Sequence, residues 1–153
     1  MGNTSPFRLT LDWSPAAADL DRLDRERLAF DALSVGEPRV AGFAVLLRDE
    51  AGTLRGGLDA AIRFDWLFVK TIWVEAALRG RGFGQALLRE AEATARERRC
   101  HGAWLFTLSA EARRFYERQD YDCFAELPNY AGAAPLFLLR KLLATVKARS
   151  PGN

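Results

Sequence analysis

The segment Arg79-Gly80-Arg81-Gly82-Phe83-Gly84 sets three glycines at alternate positions between two very different stretches, and it limits the fold more than any other part of the chain. Before it, Trp66-Leu67-Phe68-Val69-Lys70-Thr71-Ile72-Trp73-Val74 is rich in aromatic and β-branched residues, the composition of a central strand. After it, Phe83, Leu87, Leu88, Ala91 and Ala95 recur at helical spacing. A strand that enters a helix through such a turn can aim several backbone N–H groups into one concavity at the positive end of the helix dipole. Arg79 and Arg81 add positive charge, and the whole suits a pyrophosphate. The plainer alternative is that the glycines only allow a tight turn or close packing.

Two common phosphate loops are excluded by spacing. A Walker A loop requires Lys followed by Ser or Thr after its last glycine, whereas Gln85-Ala86 follows Gly84. A dinucleotide G-x-G-x-x-G read from Gly82 meets Leu at 87, and read from Gly80 meets Gln at 85. The next strand candidate also ends in Thr107-Leu108-Ser109, without the acid that holds a ribose.

The remaining elements follow from periodicity. Phe7 to Leu11 alternates apolar and polar and predicts a first strand, and Pro15 opens a helix through Leu20, Leu23, Phe30 and Leu33 that stops at Gly36. Val40–Leu47 and Thr53–Phe64, joined by Asp49-Glu50-Ala51-Gly52, predict a hairpin. The helix after the glycine turn is expected to end near His101-Gly102, with Glu92 and Arg96 paired on its outer face. Ala103–Leu108 reads as a short strand, Ser109 as the N-cap of a second short helix, and Tyr121–Leu127 and Pro135–Leu143 as the last strands. The order β-α-β-β-β-α-β-α-β-β is an α/β (α+β) arrangement.

With 153 residues, a net charge of +2 and no repeat or linker, the sequence predicts one domain over 1–153, with its core at about 7–143 and a loose tail at 148–153. Two cysteines and a single histidine at no metal-ligand spacing give neither a zinc module nor a disulfide framework, and no metal is expected. Cys100 and Cys123 are read as small buried hydrophobes, and His101 as a helix-end residue rather than a base. No apolar run approaches the roughly 20 residues of a membrane span, and Met1 to Pro6 has no basic region followed by an apolar one. A cytoplasmic protein is expected, with neither membrane nor nucleic acid as partner.

Arg79-x-x-Gly82-x-Gly84, after a strand and opening a helix, resembles the first motif of the GNAT superfamily of N-acetyltransferases, in which Gln or Arg is followed by two residues, Gly, one residue, then Gly or Ala. Ser109 to Tyr121, with its Phe115-Tyr116 pair, is similar to the second signature. The resemblance covers about residues 7–143 and implies a three-layer α/β/α fold with a mixed, centrally splayed β-sheet. It implies acetyl-coenzyme A as cosubstrate, lying where Trp66–Val74 and Ala103–Leu108 part. Backbone N–H groups of Arg79, Gly80, Arg81, Gly82, Phe83 and Gly84 would cradle the pyrophosphate, and Trp73 and Val74 would engage the pantetheine and acetyl carbonyl. Phe115 belongs to the same cofactor-binding set, and Ser109 stands near the pantetheine, although it serves equally as an N-cap.

Tyr116 occupies the position of the family's general acid, which protonates the leaving thiolate, and its alternative is a core aromatic. At an unperturbed pKa of about 10 a phenol is protonated at neutral pH and able to donate. The position where some members carry a catalytic Glu is Phe68 here, leaving Glu75 and Asp65 as base candidates, each also readable as a strand-end residue; a water-relayed base fits as well. Asp120 replaces the usual Gly before the final aromatic, a place for which Asp tolerates left-handed backbone. The resulting expectation is direct acetyl transfer to a primary amine of a small molecule or a peptide. The alternative is a non-catalytic acyl-coenzyme A-binding protein. Relatives often pair as homodimers through C-terminal strands, which the apolar run Pro135–Leu139 permits.

Overall fold

The computed structural model describes residues 6–37 and 39–143; the expected chain start at 1–5 and tail at 148–153 lie outside them. The chain divides into two compact units, Met1–Pro38 and Arg39–Asn153.

The first unit holds one helix, α1 (Ala17–Val35), which begins after an extended Ala16 and ends at Gly36 with φ 82°. Arg27 bridges Asp24 and Asp31, three and four residues away, at 2.8 Å each. Such exposed, salt-screened pairs add little to the stability of a helix surface. The strand expected over Phe7–Leu11 is absent, and that segment is irregular. Alternation supplies two faces but does not by itself supply the ladder that makes a strand.

The second unit is a six-stranded mixed sheet with two helices. β1 (Val40–Arg48), β2 (Leu54–Arg63) and β3 (Trp66–Val74) form an antiparallel meander, followed by a single 3-10 turn over Ala76–Leu78. Then come α2 (Phe83–Glu97), β4 (Gly102–Thr107), α3 (Ala110–Glu117), β5 (Asp122–Ala131) and β6 (Ala134–Leu142). The spatial order is β1-β2-β3-β4-β6-β5, and only β3 and β4 run parallel. The hairpin turn forms as its residues predict: Asp49 Oδ1 accepts from the Thr53 N–H at 2.8 Å.

β3 and β4 pair over three positions only, Trp66 with Gly102, Leu67 with Ala103 and Phe68 with Trp104. Just beyond, the β2 ladder steps from Ala60–Val69 to Asp59–Thr71, leaving Lys70 as an extra residue. A bulge of this kind bends and twists its strand, so the second half of β3 diverges from β4 and the sheet opens at its centre.

The core gathers Leu58, Ile62, Leu67 and Val69 of the meander with Leu87, Leu88, Ala91 and Ala95 of α2, together with Leu105, Tyr116 and Leu139. Burying Leu87 and Leu88 stabilises the docked helix by about 1.5–3 kcal/mol each. Two expectations, the end of α2 and the place of Glu92, are corrected. α2 ends at Glu97 rather than near Gly102, because Arg99 takes the left-handed conformation at φ 60°. Gly102 serves packing instead: a Cβ there would lie 2.5 Å from the Trp66 ring and 2.7 Å from the Lys141 carbonyl. Glu92 is not on the outer face but 2% exposed, because it points inward from α2 to cations and a phenol. The run Pro135–Leu139 belongs to β6, an interior strand, and Leu136, Phe137 and Leu139 are buried in the chain's own core.

Candidate active site

A cleft of about 640 Å³ opens where β3 leaves β4, lined by Ile72, Trp73 and Val74 of β3, by every residue from Arg79 to Gln85 except Arg81, and by part of the α3 region, including Ser109, Phe115, Tyr116 and Arg118. Its floor is the glycine turn. Gly80 and Gly82 stand at φ 72° and 85°, conformations that L side chains rarely adopt. The N–H groups of Gly80, Arg81 and Gly82 find no hydrogen-bond partner among the described residues. Those of Phe83, Gly84 and Gln85 belong to the first turn of α2, where no intrahelical acceptor exists. No side chain caps this helix and no acidic residue sits in its first turn, so six donors and the helix dipole face the cleft uncontested.

Arg79 turns back from this floor. Its Nε donates to the Val74 carbonyl at 3.0 Å and braces the turn against the end of β3. Arg81 lies over the Phe83 ring at 5.5 Å. Arg118, at the C-terminal end of α3, lines the opposite side of the cleft; with Gln85, Gln119 and Glu111 it is part of the site that the sequence reading missed. Its position is set by the three-dimensional return of α3 to the glycine turn, which no local motif encodes.

α3 is fixed to that turn. Ser109 Oγ accepts from the Ala112 N–H at 3.1 Å, so it is an N-cap and lines the cleft at once. The Phe115 ring packs over Gly84, where a Cβ would make ordinary contact at 3.5 Å. Tyr116 is 5% exposed, and burial pushes its phenol up to about 12. Its hydroxyl has no hydrogen-bond partner among the described residues, yet it is not sealed off, because Tyr116 lines the cleft. Asp120 takes φ 67° and its N–H donates to the Glu117 carbonyl at 3.1 Å, so the turn after α3 closes without glycine.

Trp73, Val74, Arg79, Gly80, Gly82, Phe83, Gly84, Ser109, Phe115 and Tyr116 thus come together around one cleft, with Arg81 between two of its glycines. Glu75 does not join them. Its carboxylate receives the Arg55 guanidinium at 3.1 and 3.2 Å, and the same guanidinium donates to Asp49 at 2.8 Å. Asp65 pairs with Arg39 at the β2–β3 corner, and His101 donates its backbone N–H to the Asp65 carbonyl at 2.7 Å. Neither Asp65 nor His101 lines the cleft. Cys100 is 1% exposed, burial raises its thiol, and it too lies apart from the cleft.

A central opening in a mixed sheet, a donor-rich turn at a helix N-terminus and a buried phenol define a class of protein that holds an anionic ligand along a splayed strand. The sequence matches the model of the acetyltransferase (GNAT) family over residues 4–121. It is 38% identical over 102 residues to the blasticidin-S acetyltransferase of Streptomyces morookaense, a match spanning 66% of this chain and 75% of that one. A crystal structure from Agrobacterium tumefaciens superposes with a TM-score of 0.83 at 26% identity, covering 89% of this chain and 99% of that one. An aminoglycoside 6'-N-acetyltransferase complexed with coenzyme A shares the fold, with a TM-score of 0.61 at 20% identity over 67% of this chain and 73% of that one. The chain belongs to the GNAT family and is an acetyltransferase.

Proposed function

We propose that the cleft binds acetyl-coenzyme A and that the protein transfers its acetyl group directly to the primary amine of a small molecule. The observation that carries this reading is the run of N–H groups from Gly80 to Gln85 without a hydrogen-bond partner among the described residues, five of these six residues lining the cleft together with Tyr116. Those donors hold the pyrophosphate, and Arg118 stands on the facing wall to meet further phosphate charge. Trp73 and Val74 lie beyond the last β3–β4 pair, and with the Val74 carbonyl taken by Arg79, the Val74 N–H is the group left to meet an amide carbonyl of the pantetheine arm. Both units belong to one acetyltransferase domain, since the family match from 4 to 121 runs across the boundary at Pro38.

Acetyl-coenzyme A supplies an acyl carbon already activated as a thioester. Tyr116 holds a proton at its phenolic oxygen and gives it to the sulfur as the carbon–sulfur bond breaks and the carbon–nitrogen bond forms. The ammonium first gives one proton to water, since Glu75 is held by Arg55 and Asp65 by Arg39, and the neutral amine attacks; the second proton, made acidic by the new carbon–nitrogen bond, leaves the nitrogen and restores the Tyr116 phenol. The amine class is drawn from the blasticidin-S acetyltransferase, which is 38% identical over 102 residues.

The test is a thermal-shift titration with acetyl-coenzyme A against NAD and ATP controls, followed by thiol-release assays with blasticidin S and a panel of small primary amines. At 100 times its dissociation constant a ligand stabilises the fold by about 2.7 kcal/mol, which moves the midpoint by several degrees. A shift with acetyl-coenzyme A alone, with turnover of a panel amine, supports the reading. No shift returns the glycine turn to a packing role, and binding without any acceptor turned over favours a non-catalytic acyl-coenzyme A-binding protein.

A further inference from the structure

Glu92 is the one buried charged side chain among the described residues, and the transfer chemistry above does not use it. It projects from the core face of α2 between Leu88, Ala91 and Ala95, where an apolar residue would avoid the several kcal/mol that desolvating a carboxylate costs. The carboxylate is fully engaged. Lys141 Nζ of β6 donates to both oxygens at 2.9 and 3.1 Å, Arg96 Nη2 donates at 3.2 Å, and Tyr121 Oη donates to Oε1 at 3.2 Å. Lys141 also stands 5.7 Å above the Tyr121 ring. Two elements and a phenol thereby meet at one point.

Tyr121 joins this point to the cleft. Its ring meets that of Tyr116 edge to face at 5.7 Å, and its N–H donates to the Tyr116 carbonyl at 3.1 Å. The Tyr116 hydroxyl itself has no partner among the described residues, so polar contacts do not orient this phenol. Two neighbouring rings do, Phe115 at 5.1 Å and Tyr121 at 5.7 Å. Phe115 is half-buried and held by packing alone, whereas Tyr121 is 2% exposed and tied at its far end to a charge-assisted acceptor.

We propose that Tyr121, anchored at its hydroxyl by Glu92 and Lys141, is a positioning residue that fixes the direction of the Tyr116 phenol in the cleft. The proposal rests on Tyr116 being the proton donor. Removing the anchor leaves the binding surface for acetyl-coenzyme A unchanged but lets the donor sample unproductive orientations, and placement errors of this kind appear in kcat. Glu92 and Lys141 touch no cleft residue other than through this ring.

The experiment compares Tyr121→Phe, Glu92→Gln, Tyr116→Phe and the Tyr116→Phe/Tyr121→Phe double variant, using acetyl-coenzyme A and the panel amine that is turned over fastest. Tyr121→Phe keeps the ring and removes the tether, and is expected to lower kcat about tenfold with KM for acetyl-coenzyme A unchanged. Glu92→Gln retains an acceptor for Tyr121, so its loss in kcat is expected to be smaller. In the Tyr116→Phe background the Tyr121 change should cost nothing further, the sign of two residues acting as one unit. If Tyr116→Phe is slow but Tyr121→Phe leaves kcat unchanged, or if the two losses multiply in full, the positioning role is overturned while the acid remains. If Tyr116→Phe turns over at the normal rate, the acid assignment falls and the positioning role with it. A melting point lowered by Tyr121→Phe with kcat and KM intact identifies a purely structural tether and also overturns the proposal.

Discussion

Tyr116 shows how a residue can be legible in type before it is legible in environment. Its place in the Phe115-Tyr116 pair marks it out in the sequence, but the feature that suits it to give up a proton only at the right moment is burial, which raises its phenol to about 12. At neutral pH it is therefore fully protonated, ready to donate and unable to act as a base. Tyr116→Phe keeps the ring, its contacts with Phe115 and Tyr121, and the cleft wall, and removes only the proton. Steady-state kinetics should show kcat reduced by about 10²-fold or more with KM for acetyl-coenzyme A nearly unchanged. The wild-type rate should rise with pH as the acceptor amine loses its proton and then hold level to about pH 10, because a donor with a pKa of about 12 does not limit it there. Glu75 was the weaker expectation because its residue type carries no address. Only the register Gly56–Val74 brings Arg55 beside it and commits its carboxylate to an ion pair.

The glycine turn and the parting of β3 from β4 depend on different kinds of information. The turn is local: Gly80 and Gly82 announce positive φ, and the helix that follows is patterned by Leu87, Leu88, Ala91 and Ala95. The opening is not local, since Lys70 sits in an apolar run that reads as a regular strand, and its extra place appears only against the β2 ladder. The glycines differ among themselves accordingly. At Gly82 a Cβ would touch nothing, so Gly82→Ala is strained through φ 85° alone and should destabilise by about 1–2 kcal/mol while weakening acetyl-coenzyme A binding. Gly84→Ala, with ordinary backbone and a methyl 3.5 Å from Phe115, should leave both within about 0.5 kcal/mol. Calorimetric titration and urea melts of the two variants distinguish the effects. Gly102→Ala offers a third case: the new methyl meets the Trp66 ring and the Lys141 carbonyl under 3.0 Å at one of the three β4 positions that pair with β3 and β6 at once. Overpacking there should cost about 1–3 kcal/mol, seen as a lower urea midpoint with an unchanged slope.

Across the whole molecule, the order of strands and helices from Val40 to Leu142 is written in the periodicities, because each element has a two-fold or 3.6-fold apolar pattern and a turn to end it. Pairing is written less clearly. Phe7–Leu11 has the pattern of a strand but is irregular, and Glu92 has the pattern of a surface residue but is drawn inward by Lys141 and Tyr121 across 49 and 29 residues of sequence. The buried tyrosines have a consequence for the protein's stability that no single element shows. Burial raises the phenols of Tyr116 and Tyr121 and the thiol of Cys100 above their ordinary values, so the folded state prefers their neutral, protonated forms. Stability from such groups is complete below their unfolded pKa and disappears as pH climbs through the folded one, since the unfolded chain then releases protons that the folded chain keeps. For Tyr116 the window runs from about 10 to about 12, and across it the folded state loses stability relative to the unfolded chain. The melting temperature should therefore hold steady from neutral pH to about pH 9 and then fall steeply. Tyr116→Phe has no proton to lose, so its melting temperature should decline less over the same alkaline range, with Tyr121 and Cys100 supplying what decline remains. If the two proteins lose stability in parallel above pH 10, the Tyr116 hydroxyl is already open to water in the folded state, and the same result would remove the reason for expecting a level rate profile.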